Sequence, residues 1–216
     1  MTTPGPAGST PRVKRVDARR NEQILLDAAA AVFVTEGVDA PVRLIAERAR
    51  VGMGTIYRHF PTRPALVAAV YRHQVEALAE AGPALLRGSG DPGDALQRWV
   101  ADFVDFLVTK HGLAGALGSD TEGVNTLHQY FVDRLVPVCD ALLDAALEPE
   151  ASRRVSGYML MRGIGNLCIG GGNDPRYDPA RLAALLVTGV LTAEQRDGDS
   201  GAVAAGGDLS APRDNR

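Results

Sequence analysis

Apolar residues recur along this chain with a period near 3.6 and never alternate for long enough to suggest a pair of strands, so the pattern predicts helices throughout. From residue 19 or 20 to residue 36, Leu25, Ala28, Ala29, Val32 and Phe33 form one stripe, and Gly37 ends that helix. Pro41 suits the first turn of a second, short helix whose inner face is Val42, Ile45, Ala46 and Ala49. A tight turn over residues 50–52 leads to a third helix, 53–60, stopped by Pro61. Thr62 caps a fourth, over residues 63–81. Residues 82–93, rich in Gly, Pro, Ser and Asp, read as a break. Further helices are expected over 94–111, in a short piece at 113–117, and over 122–147, 150–169 and 179–191, about nine in all. The expected class is all-α. Residues 1–18 form a flexible basic arm, 19–63 a three-helix head, 64–193 a larger helical domain, and the Gly/Ala/Asp/Ser-rich 194–216 a disordered tail.

Composition adds bounds. With 45% hydrophobic and 23% charged residues, the chain has the make-up of a soluble globular protein. No apolar run reaches the roughly 20 residues that would span a bilayer, so no membrane partner is expected. The Thr/Pro/Gly/Ala-rich start lacks a basic segment followed by an apolar block, which points to a cytoplasmic chain. The net charge of −3 hides an asymmetry. Residues 1–63 carry ten Arg/Lys against six Asp/Glu, whereas residues 64–193 carry ten against fifteen. Positive charge gathered on a small N-terminal module is what phosphate neutralisation needs. Cys139 and Cys168 lie in apolar helical stretches outside any CxxC and read as buried, reduced thiols; a redox switch through them is the alternative.

Three short helices with a tight turn between the second and third are the plan of a helix-turn-helix. Ile56 and Phe60, four apart, share the inward face of the third helix. Thr55, Arg58 and His59 fall outside that face, and Tyr57 lies at its edge. Small, basic and aromatic donors exposed on a short helix suit the floor of a major groove and its flanking phosphates.

The run Val51-Gly-Met-Gly-Thr-Ile-Tyr-Arg-His-Phe60, followed by Pro61-Thr-Arg-Pro-Ala-Leu66, closely resembles the signature of the tetracycline-repressor (TetR) family, over about residues 20–70. The resemblance implies a homodimer, double-stranded DNA with a two-fold symmetric operator as partner, and a divergent domain for an unknown small-molecule effector. It places Arg43 near a phosphate or a guanine edge, and Gly54 and Thr55 at the opening of the recognition helix. Tyr57 and His59 resemble phosphate-contacting positions, and Arg58 is the candidate for base readout, since a guanidinium can be bidentate to guanine. Arg63 sits where the family usually has a lysine, and there it would hold a phosphate. Two departures stand out. Arg50 occupies a turn position usually held by glycine, and Gly52 replaces the usual capping serine.

In the helical domain, Trp99, Phe103, Phe106, Phe131, Tyr158, Arg162 and Asn166 are candidates for lining an effector pocket. Leu182, Leu185, Leu186 and Gly189 share one face of the last helix, and the resemblance makes that face part of a four-helix dimer interface. No catalytic residues, metal ligands or cofactor are expected. The histidines lack metal-ligand spacing, no serine lies in G-x-S-x-G, and the glycines at 163, 165 and 170–172 follow no strand. The expected function is a sequence-specific DNA-binding regulator, a repressor released by a small molecule. The alternatives are a helical small-molecule-binding protein, or a redox-responsive regulator using Cys139 and Cys168.

Overall fold

A computed structural model of the chain describes residues 11–110, 121–149, 154–169, 174 and 176–203. The short piece at 113–117, His111, the glycines at 170–172 and the ends of the chain therefore lie outside the described residues. Among those described, the structure is all-helical: α1 (Pro11–Glu36), α2 (Val42–Ala49), α3 (Met53–His59), α4 (Arg63–Gly88), α5 (Pro92–Lys110), α6 (Thr121–Ala146), α7 (Gly157–Cys168) and α8 (Pro179–Val203). None of them is long and apolar enough to cross a membrane.

The helix ends follow local chemistry. Gly37 adopts φ +80 and its N–H bonds the Phe33 carbonyl at 3.1 Å, which stops α1. The Thr62 hydroxyl accepts from the Ala65 N–H at 3.2 Å and starts α4. Four boundaries differ from the periodicity, one of them at α8, which runs on to Val203, past the expected end at 191 and into the stretch read as a disordered tail. α1 already begins at Pro11, inside the stretch read as an arm. α4 runs through Gly82 and Pro83 instead of breaking there. A helical Gly and Pro disfavour the helix by about 1 and 3 kcal/mol, yet a Cβ on Gly82 would lie 2.2 Å from Val138 Cγ1. Only glycine admits that packing, and the burial it allows outweighs the local propensity. α7 starts at Gly157, after the non-helical residues 154–156, where the Ser156 hydroxyl caps it by accepting from the Met159 N–H at 3.2 Å; residues 150–153 of the expected helix lie outside the described residues.

The chain divides into two compact units, Met1–Ala79 with Phe106–Leu135, and Glu80–Asp105 with Val136–Arg216. In the first, α1 packs on α2 and α2 on α3. Its core includes Leu25, Ala29 and Phe33 of α1, Ile45 of α2, Ile56 of α3, and Leu66, Val67, Val70 and Tyr71 of α4. In the second, α7 packs on α8. There Leu96, Trp99 and Phe103 of α5 are buried, as are Leu142 and Leu143 of α6, Ile164 of α7 and Val187 of α8. Fully burying one such aliphatic side chain contributes about 1.5–3 kcal/mol, so the short helices of the first unit persist by packing and not by propensity.

Candidate nucleic-acid interface

The turn between α2 and α3 decides how α3 is presented. The Val51 N–H reaches the Ala46 carbonyl at 3.0 Å and the Arg50 N–H reaches the Glu47 carbonyl at 3.2 Å, the two bonds that close a helix with a left-handed residue. That residue is Arg50, at φ 56 and ψ 42, the only non-glycine with positive φ among the described residues. An L-residue there costs roughly 1–2 kcal/mol relative to the right-handed region. Gly52 then caps α3 in an extended conformation (φ −72, ψ 146) without a side-chain bond. The helix is held from its first turn by the Thr55 N–H to the Gly52 carbonyl at 2.9 Å.

From that start, a seven-residue helix turns one face in and one out. Ile56 is 0% exposed and Phe60 is buried behind it. Tyr57 is 51% exposed, Arg58 and His59 are exposed, and Thr55 is half-buried at the margin. A Cβ on Gly54 would meet nothing within 4 Å, so the surface in front of the first turn is open. The outward row thus contains Gly54, Tyr57, Arg58 and His59, with Thr55 beside them. Arg43 lies exposed at the start of α2, its guanidinium 3.9 Å from Glu47, a loose solvent-screened pair.

Arg63 is placed differently from a free phosphate anchor. Its Nε donates to the Val38 carbonyl at 2.9 Å, its Nη2 donates to the same oxygen, and its guanidinium lies 5.2 Å from the Phe33 ring centroid. It ties the start of α4 to the loop after α1. A guanidinium carries five N–H donors, so this tie leaves donors over for an anion.

The candidates in the helical domain fall into separate sets. Trp99 and Phe103 stack in the second unit, with ring centroids 5.6 Å apart. Phe106 and Phe131 stack in the first, at 5.9 Å, with Tyr71 5.4 Å from Phe106. Tyr158, Arg162 and Asn166 do not join either set. They are exposed, Tyr158 at 51%, on the outer stripe of α7 together with Met159. The three candidates therefore stand on the outside of this chain, apart from the buried aromatic rings. Spaced i, i+4, i+8, they occupy the face opposite the buried Leu160, Met161 and Ile164. On α8, Leu182, Leu185 (59%), Leu186 and Gly189 are exposed, and Leu186 lies beside Gly163 of α7.

One cluster has no counterpart among the sequence candidates. Glu76 of α4 accepts from Arg134 Nε at 2.7 Å, from Arg134 Nη2 and from the Tyr130 hydroxyl, both on α6. Bonds from Arg134, with help from Tyr130 and the arginine's charge, hold the Glu76 carboxyl down at about 2 against desolvation. Its members lie 54 and 58 residues apart, and no periodic signal joins them. Both cysteines are buried and unbonded, and burial pushes the Cys139 thiol up to about 12 and raises that of Cys168. Among the described residues no group of three or more His, Cys, Asp or Glu could hold a metal ion.

Comparison with known proteins bears on the whole arrangement. The family model described as bacterial regulatory proteins, tetR family, matches residues 25–70. The HTH-type transcriptional activator FasR of Mycolicibacterium smegmatis is 36% identical over 105 residues, 47% of this chain and 47% of FasR. The chain thus matches about half the length of that curated relative. Among solved structures, a TetR transcriptional regulator from Streptomyces coelicolor is 31% identical, with a TM-score of 0.62 over 81% of this chain and 97% of that one. The TetR transcription regulatory protein from Mycobacterium vanbaalenii is also 31% identical, with a TM-score of 0.57 over 81% and 97%.

Proposed function

The chain belongs to the TetR family of DNA-binding transcriptional regulators, and from that premise we propose that it acts as a homodimeric repressor released from DNA by a small molecule. The observation that carries the reading is the division of α3 into a buried Ile56–Phe60 anchor and an outward row of Tyr57, Arg58 and His59. In this reading Arg58 reads a base edge. Tyr57, His59, Arg43 and the spare donors of Arg63 contact phosphates, and Gly54 and Thr55 allow close approach at the start of the helix.

The exposed apolar face of α8, Leu182, Leu185, Leu186 and Gly189, meets its copy across a two-fold axis. Tyr158, Arg162 and Asn166 of α7 lie at the rim of that contact, where their polar ends stay wet. The two heads then address half-sites about 34–36 Å apart, so the operator is two-fold symmetric. Effector recognition falls to the helical domain of residues 64–193, with the buried aromatic pairs Trp99–Phe103 and Phe106–Phe131 as the candidate apolar surfaces. A coupling of about 1–3 kcal/mol would lower operator affinity roughly 5–150-fold. The work would be done in the cytoplasm.

The name of FasR, an activator, favours a second reading in which the bound protein raises transcription. A mobility-shift assay with duplex DNA from upstream of the protein's own coding sequence tests binding. A reporter fused to that DNA decides the direction. A shifted band with lower expression supports repression, higher expression supports activation, and no shift on any upstream fragment removes the proposal.

A further inference from the structure

Arg50 is the one residue in the head whose backbone and side chain favour different amino acids. Its φ of 56 closes α2 through the Val51 and Arg50 N–H bonds, a conformation glycine adopts without a steric penalty. The side chain gives the fold nothing visible in return. It is exposed, and among the described residues its guanidinium makes no hydrogen bond or ion pair. Arg43 leans on Glu47 and Arg63 is bonded to the Val38 carbonyl; Arg48 and Arg58 are exposed like Arg50, but of these arginines Arg50 alone holds a left-handed backbone. Strain held at a single exposed cation directs attention to what that cation meets outside the chain.

Its position narrows the answer. Arg50 stands two residues before Gly52, the cap of α3, so its Cα lies within two steps of about 3.8 Å from the start of the recognition helix. A groove that receives α3 is bordered by phosphates on both sides, and a long, forked, permanently charged side chain rooted beside the entry of that helix reaches such a border. We propose that Arg50 is a phosphate-contacting residue of the DNA interface, held in a left-handed conformation that glycine would occupy more comfortably. This rests on the DNA-binding reading above and adds to it a contact at the turn itself. The competing account is local: a cation at the C-terminal end of α2 interacts favourably with the carbonyls there.

The two accounts part on one variant. Arg50→Gly relieves the backbone and removes the charge, while Arg50→Lys keeps both the strain and the charge. Each would be titrated by fluorescence anisotropy against a labelled random-sequence 30-base-pair duplex between 50 and 200 mM salt, with thermal melts of the free proteins in parallel. Such a duplex suffices because phosphate contacts operate on any sequence. For Arg50→Gly we expect a melting temperature equal to or above that of the wild type. Affinity should fall roughly five- to tenfold per head near 100 mM salt, and the slope of log K against log salt should be shallower by about 0.9 per head. Arg50→Lys should keep most of that slope. An Arg50→Gly protein with wild-type affinity and slope would overturn the proposal while leaving the family reading intact. A wild-type protein that bound no duplex at all would overturn both.

Discussion

Arg63 Nε donates to the Val38 main-chain oxygen at 2.9 Å while the same guanidinium lies 5.2 Å from the centroid of the Phe33 ring. Three segments meet there: the end of α1, the loop after it, and the first residue of α4. The contact fixes how α4 leaves the loop after α1.

Removing it should loosen the head. A charged donor on a carbonyl and a cation over a ring together contribute about 2 kcal/mol, and Arg63→Ala should lower the melting temperature by about 4–8 °C. Arg63→Lys should recover less than half of this, because a lysine cannot stack flat and donate a fork at once. Circular-dichroism melts of the two variants check the ordering. Equal stability of wild type and Arg63→Ala would show that the contact is idle. On DNA, Arg63→Ala should weaken all sequences alike, without changing the preferred one.

The start of α7 is pinned to α6. Asp140 Oδ1 accepts from the Gly157 N–H at 2.6 Å, and a Cβ at 157 would lie 2.8 Å from the Asp140 backbone nitrogen and 2.9 Å from Cys139 Cβ. Backbone cannot step aside as a side chain can, so Gly157→Ala should cost about 1–3 kcal/mol. Asp140→Asn keeps an acceptor and should cost under about 1 kcal/mol. Because α7 borders the exposed face of α8, Gly157→Ala should also weaken dimerisation, read by sedimentation equilibrium.

Acid should act through Glu76. Its folded pKa is lowered from 4.5 to about 2 by Arg134, Tyr130 and the charge of Arg134. A depressed carboxylate stabilises the folded state fully above its unfolded pKa, and this stabilisation is lost as pH falls from near 5 toward 2. Glu76→Gln should therefore lower stability at pH 7 and flatten the acid limb of the stability profile in that window. Denaturant melts at several pH values check this. Parallel acid limbs for the variant and the wild type would contradict it.

The thiols should be inert. With Cys139 raised to about 12 and Cys168 raised by burial, neither is appreciably thiolate at pH 8. A disulfide reagent should label the native protein only after unfolding, and mild oxidation should leave DNA binding unchanged. Rapid native labelling that abolished DNA binding would restore the redox alternative.

The head was readable in the sequence because its determinants are local. The stripe of α1, Gly37, Pro61 and the four-residue spacing of Ile56 and Phe60 each act within a turn or two, and the structure has those elements within a residue of the pattern at α3. What escaped depends on partners far along the chain. Gly82 sits inside α4 where a Cβ would run into Val138, and α7 begins where Asp140, 17 residues earlier, holds Gly157. The outward placement of Tyr158, Arg162 and Asn166 was open for a similar reason. An apolar helix with two buried-looking stripes does not reveal which one faces its own core and which faces outward.

The reading of α3 is tested most directly by selecting bound sequences from a random DNA pool with the wild type and with Arg58→Ala. The account predicts that the wild type enriches an inverted repeat with half-sites about one helical turn apart, and that Arg58→Ala loses preference at one base pair in each half-site, a change of about 1–3 kcal/mol in discrimination there. Enrichment of the same motif at the same strength by both proteins, or of no motif by the wild type, would contradict it.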